Sequence, residues 1–150
     1  MTRSVLNMLG MLAAVAAGLT PLPGHAYALD DQLDCKSTGH AFISSLLNNQ
    51  YIDPNPTRVE ANSVNVFRPA RGSNLTAFGY RVYAVLGYQH NDQMFKQGTG
   101  EPVADSAYGV VIFGPLEAVQ TRAHDAGSVA VVKSVVPLLL TAVFCSGSAE

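Results

Sequence analysis

The stretch LTAFGYRVYAVLGY, residues 75–88, decides the fold of this chain. Apolar or aromatic side chains recur in it at every second position: Phe78, Tyr80, Val82, Ala84, Leu86 and Tyr88. The positions between them are more mixed: Ala77, Gly79, Arg81, Tyr83, Val85 and Gly87. Because successive side chains of a strand point to opposite faces, this pattern predicts a long strand with one covered face, as antiparallel sheets have.

The segments before this strand predict a helix and another strand. Residues 39–49 follow a Ser-Thr pair that can cap a helix, and their apolar side chains fall on one helical face: Phe42, Ile43, Leu46 and Leu47. Residues 58–68 are tolerant of β structure, and residues 69–74 (PARGSN) have the composition of a turn.

The segments after the long strand predict further strands and a second helix. Residues 93–97 are interpreted as a short strand, and residues 107–113 (AYGVVIF) as a buried one. A Gly-Pro pair then opens a helix that ends before Gly127. Residues 128–145 are rich in Val and Leu and predict two consecutive strands, or one strand bent at Pro137.

The order of elements is therefore α-β-β-β-β-α-β(β), which predicts an α+β fold. We expect a two-layer sandwich in which two helices cover one side of a mostly antiparallel sheet. The chain has 150 residues, the size of one domain. It is 48% hydrophobic and 13% charged, which excludes a wholly disordered chain.

The N-terminal sequence MTRSVLNMLGMLAAVAAGLTPLPGHAYA, residues 1–28, has the pattern of a secretory signal peptide. The apolar run within it is shorter than the roughly 18 residues that span a bilayer, which disfavours a transmembrane anchor. A lipoprotein needs a Cys directly after the cleavage site, and Leu29 stands there instead, which disfavours lipidation. We expect cleavage after Ala28 and a single α+β domain at residues 29–150, exported to the periplasm or secreted.

Cys35 and Cys145 are the two cysteines of the chain. In an oxidising compartment an even number of cysteines favours pairing, so we predict a disulfide between them. Closing a loop of this length stabilises a fold by on the order of 4–5 kcal/mol in the chain-entropy account. No CxxC spacing indicates a redox site, and the pair alone offers no zinc site, so neither a metal nor a cofactor is expected.

Common catalytic and nucleotide-binding motifs are missing from the sequence: GxSxG, HExxH, GxxxxGK[ST] and GxGxxG. His40, His90 and His124 are each isolated, and the sequence leaves open whether they converge in space. We assign no catalytic residue and favour a role other than catalysis. The formal net charge of -2 also disfavours binding to nucleic acid.

The candidate binding residues surround the turn before the long strand: Arg68, Arg71, Arg81 and Tyr83. Arg and Tyr are enriched at protein interfaces, and Arg binds carboxylates through two parallel hydrogen bonds. The sequence leaves two interpretations open: an edge hairpin whose charges prevent aggregation, or a docking site for an anionic partner.

Taken together, these features favour a small exported protein, stapled by a disulfide, that binds a protein partner as an inhibitor, an immunity-like factor or an accessory factor. One alternative is a small-ligand-binding protein with a pocket between sheet and helix, lined by Phe78, Tyr80, Val82 and Tyr108. A hydrolase is a third hypothesis and requires histidines and carboxylates to meet in space. The oligomeric state and the choice between periplasm and medium are left open.

Overall fold

The structure is a computed structural model that describes residues 26–148. The signal peptide expected at residues 1–28 lies outside the described residues, except for its last three. Among the described residues, no helix is long and apolar enough to cross a membrane.

The described residues form two α-helices, a short 3-10 helix and eight strands. The helices are α1 (Gly39–Asn48) and α2 (Leu116–Asp125), and the 3-10 helix is Asp30–Asp34. The strands are β1 (Tyr27–Ala28), β2 (Arg58–Val59), β3 (Asn65–Phe67), β4 (Leu75–Ala77), β5 (Tyr80–Gln89), β6 (Ser106–Phe113), β7 (Val131–Val136) and β8 (Leu140–Gly147). The predicted α+β class is confirmed, and the C-terminal segment forms two strands.

These strands form one sheet with the order β1-β4-β5-β6-β8-β7. Strand β3 also pairs with β5, and β2 pairs with β3. All pairings are antiparallel except that of β1 with β4. Strand β8 lies between β6 and β7, so the sheet is completed by the last strand in the sequence.

The predictions for three strands are wrong in part. Residues 58–68 form two short strands, β2 and β3, with a turn between them rather than one strand. Residues 75–88 are not one strand, because Phe78 and Gly79 adopt φ angles of 51° and 81° and turn the chain between β4 and β5. Two consecutive positive φ angles are typical of the tight turn that matches the twist of a hairpin. Residues 93–97 form a turn rather than a short strand, because Asp92 accepts hydrogen bonds from the amides of Met94 and Phe95.

The strict alternation along β5 is interrupted by a bulge. Val82 pairs with Ile112, whereas Ala84 pairs with Val111, so β5 gains one residue over its partner. Val82 and Val85 consequently both belong to the core beneath the helices. Ala84 and Leu86 line a groove on the opposite side of the sheet, the outer face. The expected sharing of one face by Val82, Ala84 and Leu86 is therefore wrong.

Helix α1 covers the inner face of the sheet. Its N-terminus is capped by Thr38, whose hydroxyl accepts a hydrogen bond from the amide of Ala41 at 3.1 Å. The ring of Phe42 lies 4.8 Å from the ring of Tyr108 in β6. Gly39 permits this close approach, because a Cβ at that position would lie 2.8 Å from the carbonyl oxygen of Ala107.

The predicted disulfide between Cys35 and Cys145 is confirmed. The two residues are 110 positions apart, and their Cα atoms are separated by 5.1 Å. Cys145 belongs to β8 and Cys35 follows the 3-10 helix, so the bridge fixes the segment before α1 to the last strand.

Candidate functional site: a cleft lined by arginines and aromatic rings

The four predicted binding residues line one surface cleft. Arg68, Arg71, Arg81 and Tyr83 border a volume of about 380 Å³, together with Phe113 at the end of β6. We call this the arginine cleft. The sequence prediction did not include Phe113, because only the pairing of β5 with β6 places its ring beside Tyr83.

The cleft forms because two short strands share one edge of β5. Strand β3 pairs with the end of β5 nearer its C-terminus, and β4 pairs with its beginning. The loop at residues 68–74 connects them and carries Arg68 and Arg71. Its shape is fixed by backbone hydrogen bonds: the amide of Ala70 donates to the Tyr51 carbonyl, and the amide of Ser73 donates to the Ala70 carbonyl.

An aromatic pair forms one wall of the cleft. The rings of Tyr83 and Phe113 meet edge to face, with centroids 5.4 Å apart and an interplanar angle of 87°. The guanidinium carbon of Arg81 lies 6.0 Å from the centroid of Phe113. Tyr83 remains 53% exposed and Phe113 46% exposed, so both rings offer apolar surface to a second molecule.

The charge of the cleft is positive. Arg68, Arg71 and Arg81 are exposed, and within residues 26–148 none of them has a carboxylate within ion-pair distance. The neighbouring Arg58, in contrast, forms an ion pair with Glu60 at 2.6 Å. Three guanidinium groups without a carboxylate partner, beside exposed aromatic rings, provide a surface suited to carboxylate groups of another molecule.

The arginine cleft adjoins an apolar groove on the outer face of the sheet. Tyr83 borders both, and the groove has a volume of about 290 Å³. Its floor is formed by side chains of four strands: Val66, Ala84, Leu86, Val111, Ala142 and Phe144. The sequence did not predict this groove. The bulge in β5 places Ala84 and Leu86 on the outer face, where they meet residues of β3, β6 and β8.

The apolar surface continues onto the hairpin of β7 and β8. Leu138 and Leu139, in the turn between these strands, are 84% and 64% exposed. Phe113 pairs with Leu140, so this turn lies at the same end of the sheet as the arginine cleft. Exposed apolar surface of this kind beside polar groups marks sites of interaction.

His40, His90 and His124 lie in three different parts of the fold: α1, the turn after β5, and α2. His40 hydrogen-bonds through Nδ1 to Oδ2 of Asp92, and His124 lies 3.7 Å from its neighbour Asp125. His90 is exposed in the turn after β5. Across residues 26–148, no group of three or more His, Cys, Asp or Glu side chains is placed to hold a metal ion.

The residues expected to line a ligand pocket instead belong largely to the core. Phe78, Val82 and Tyr108 are at most 4% exposed. The hydroxyl of Tyr108 donates to the carbonyl of Gln32 at 3.0 Å and accepts from the amide of Ser37 at 3.2 Å. Burial raises the pKa of Tyr108 above its usual value of 10.0, and the negative charge of Asp34 raises it further.

In comparisons with known proteins, no family model, no curated protein and no solved structure matched this chain. The fold and the arginine cleft are therefore the basis on which a function is proposed.

Proposed function

We propose that this chain is an exported, disulfide-stapled binding protein that recognises an acidic segment of a protein partner at the arginine cleft. The observation that carries the proposal is the meeting of Arg68, Arg71 and Arg81 around the exposed rings of Tyr83 and Phe113. Recognition of such a segment is the kind of binding by which this chain would act as an inhibitor, an immunity-like factor or an accessory factor.

Charge complementarity favours an acidic partner. A guanidinium group forms two parallel hydrogen bonds with a carboxylate, and such pairs are stronger than neutral hydrogen bonds. Because these three arginines have no carboxylate partner in the described part of the chain, their donors are available to another molecule. Exposed pairs of this kind contribute about 0.2–1 kcal/mol each to binding. The guanidinium groups therefore contribute more to the specificity for an acidic partner than to the affinity.

The apolar groove supplies the surface that holds the partner. Its floor continues from Tyr83 across the outer face towards Phe144 in β8. Burying such apolar surface contributes about 25 cal/mol per Å² removed from water. We infer that the partner segment carries acidic side chains towards Arg68 and Arg71, and aliphatic or aromatic side chains towards the outer face.

The competing proposal of a small-ligand-binding protein has less support. It requires open space between the sheet and the helices, where Tyr108 packs against Phe42 with ring centroids 4.8 Å apart. The side chain of Ile43 in α1 also packs directly against the backbone of Gly87 in β5, where an added Cβ would lie 2.7 Å from Cδ1 of Ile43. The arginine cleft and the apolar groove lie on the surface instead, which favours binding of a macromolecule.

Export of the chain is part of the proposal. The disulfide between Cys35 and Cys145 is compatible with an oxidising compartment. The leader-like sequence of residues 1–28 is the reason to expect secretion through a signal peptide.

Selection from a random peptide display library tests the proposal while the partner is still unidentified. The oxidised protein serves as bait, beside a triple variant with Arg68→Gln, Arg71→Gln and Arg81→Gln. We expect the wild-type protein to enrich sequences in which Asp or Glu stands beside aromatic or aliphatic residues. We expect the triple variant to lose that enrichment, and binding of the selected peptides to weaken as the salt concentration rises.

Lys36→Gln is the control for loss of positive charge outside the arginine cleft. It removes one exposed positive charge, whereas the triple variant removes three, and Lys36 lines a cleft at Ser106 and Gly147, at the opposite end of β6. This variant should select the same peptides as the wild type. Selection of peptides without acidic residues, or equal selection by the triple variant, contradicts the proposal. Binding to vesicles of an anionic phospholipid without binding to acidic peptides would assign the cleft to a lipid surface instead.

A further inference from the structure

We propose that signal peptidase cleaves the bond between Ala26 and Tyr27, so that the mature protein begins at Tyr27 rather than at Leu29. This inference rests on the proposed export of the chain. Hydrolysis of the bond consumes one water molecule, breaks the amide C–N bond, and leaves a carboxylate on Ala26 and an ammonium group on Tyr27.

Tyr27 is part of the folded domain. Its amide donates to the carbonyl of Asn74 at 2.8 Å, which joins β1 to the sheet beside β4. Its ring stacks on Tyr51 with centroids 4.5 Å apart, and its hydroxyl accepts a hydrogen bond from Nε2 of Gln32 at 2.8 Å. Cleavage after Ala28 would discard all three interactions together with strand β1.

Cleavage after Ala28 would also place a charge at an unfavourable position. Leu29 has no exposed surface, and its amide donates to the carbonyl of Thr76 at 2.9 Å. The backbone nitrogen of Leu29 therefore lies among core residues, and an ammonium group there would be less well hydrated than one at the partly buried Tyr27.

An ammonium group at Tyr27 fits the structure without this cost. Tyr27 is only partly buried, and its nitrogen already has the Asn74 carbonyl oxygen as an acceptor. An ammonium group keeps donor hydrogens, so the hydrogen bond persists and becomes charge-assisted. The new terminus therefore strengthens the attachment of β1 to β4.

The sequence satisfies the peptidase at this bond as well. A signal peptidase site requires small residues at the last position of the leader and two positions earlier. Gly24 and Ala26 meet that requirement for cleavage before Tyr27, as Ala26 and Ala28 do for cleavage before Leu29. The sequence allows both bonds, and of the two only cleavage before Tyr27 keeps strand β1 in the mature chain.

N-terminal sequencing of the protein exported from a bacterial host tests the proposal. The full chain is expressed with its own leader as the wild type and as two matched variants, Gly24→Asp and Ala28→Asp. Gly24→Asp places a charged residue at a recognised position of the Ala26–Tyr27 site alone. Ala28→Asp does the same for the Ala28–Leu29 site alone, and Ala28 is exposed, so the fold tolerates the change.

We expect Tyr27 as the first residue of the wild type and of Ala28→Asp, and loss of cleavage at that bond in Gly24→Asp. Leu29 as the first residue of the wild type, or loss of cleavage in Ala28→Asp, would overturn the inference while leaving export intact. Accumulation of uncleaved wild-type chain from Met1 would overturn the export on which it rests.

A second measurement tests the structural reason separately. Oxidised chains that begin at Tyr27 and at Leu29 are prepared without additional residues, and their thermal unfolding is compared. We expect the shorter chain to melt several degrees lower, because it lacks β1. Tyr27→Ala in the longer chain should account for part of that decrease. Equal melting temperatures for the two chains would remove the basis for the inference.

Discussion

The backbone of Gly39, the first residue of α1, lies against the carbonyl oxygen of Tyr88 in β5. The amide of Gly39 also donates to the hydroxyl of Ser106 in β6 at 2.7 Å. Helix α1 and the sheet therefore meet backbone to backbone at this point, which fixes the start of α1 on β5 and β6.

Gly39→Ala should destabilise the protein by about 1–3 kcal/mol, because an added Cβ meets two carbonyl oxygens that cannot move apart without distorting the β5–β6 pairing. Denaturant unfolding monitored by circular dichroism measures the change. Gly147→Ala is the control, since nothing lies within 4 Å of a Cβ at that position. Equal stability of the two variants would contradict the close approach.

Removal of the disulfide should lower the free energy of unfolding by about 4 kcal/mol, because the closed loop spans 110 residues. The double variant Cys35→Ser with Cys145→Ser and the chemically reduced wild type should both show this loss in denaturant titrations. If reduced and oxidised protein unfold at the same denaturant concentration, the bridge does not stabilise the fold.

Tyr108 should make the protein less stable at alkaline pH. Burial raises its pKa in the folded state, so the unfolded chain loses the phenolic proton first as pH rises. Stability is therefore unaffected by this group below about pH 10, the usual pKa of Tyr. It falls as pH rises from there through the raised pKa. Unfolding free energies measured from pH 8 to 11 should show the decrease.

Tyr108→Phe is the comparison for this pH dependence. The variant loses the hydrogen bonds to Gln32 and Ser37, and should be less stable by about 1–2 kcal/mol at neutral pH. Its stability should then fall less steeply above pH 10 than that of the wild type. An unchanged slope would assign the alkaline transition to other groups.

Asn65→Leu should release the loop that follows β5. Asn65 is fully buried, its Oδ1 accepts from the amide of Lys96, and its Nδ2 donates to the carbonyl oxygens of Lys96 and Ser63. Loss of these bonds leaves buried backbone groups without partners, at a cost of about 1–3 kcal/mol. Hydrogen exchange should show lost protection at the Lys96 amide.

Asn48→Ala is the matched control for the loop prediction, because Asn48 is exposed at the end of α1. Its exchange at Lys96 should equal that of the wild type. Retained protection of the Lys96 amide in Asn65→Leu would show that the loop is held in place by other contacts.

Local patterns in the sequence predicted the fold class because they report local structure. The apolar spacing around Phe42 predicted α1, and the β-branched residues on either side of Pro137 predicted the last hairpin. The bulge after Val82 was missed because one extra residue in a strand cannot be recognised from the amino-acid composition. The turn at Gly79 was missed because its flanking residues preserve the alternation of apolar and polar positions.

The candidate site was predictable only where its residues are close in sequence. Arg68, Arg71 and Arg81 surround one turn, so their side chains can be recognised as a group from the sequence alone. Phe113 and the groove at Phe144 depend on pairings between distant strands, which no local pattern reports. The bond of His40 to Asp92 joins residues 52 positions apart and was invisible for the same reason.

The place of β8 between β6 and β7 has a consequence for the order of events during biosynthesis. Strand β7 leaves the ribosome first but has no neighbour in the sheet until β8 has been made. The partner cysteine of Cys35 also arrives with that final strand. The outer edge of the sheet and the disulfide are thus completed only after almost all of the polypeptide has been synthesised.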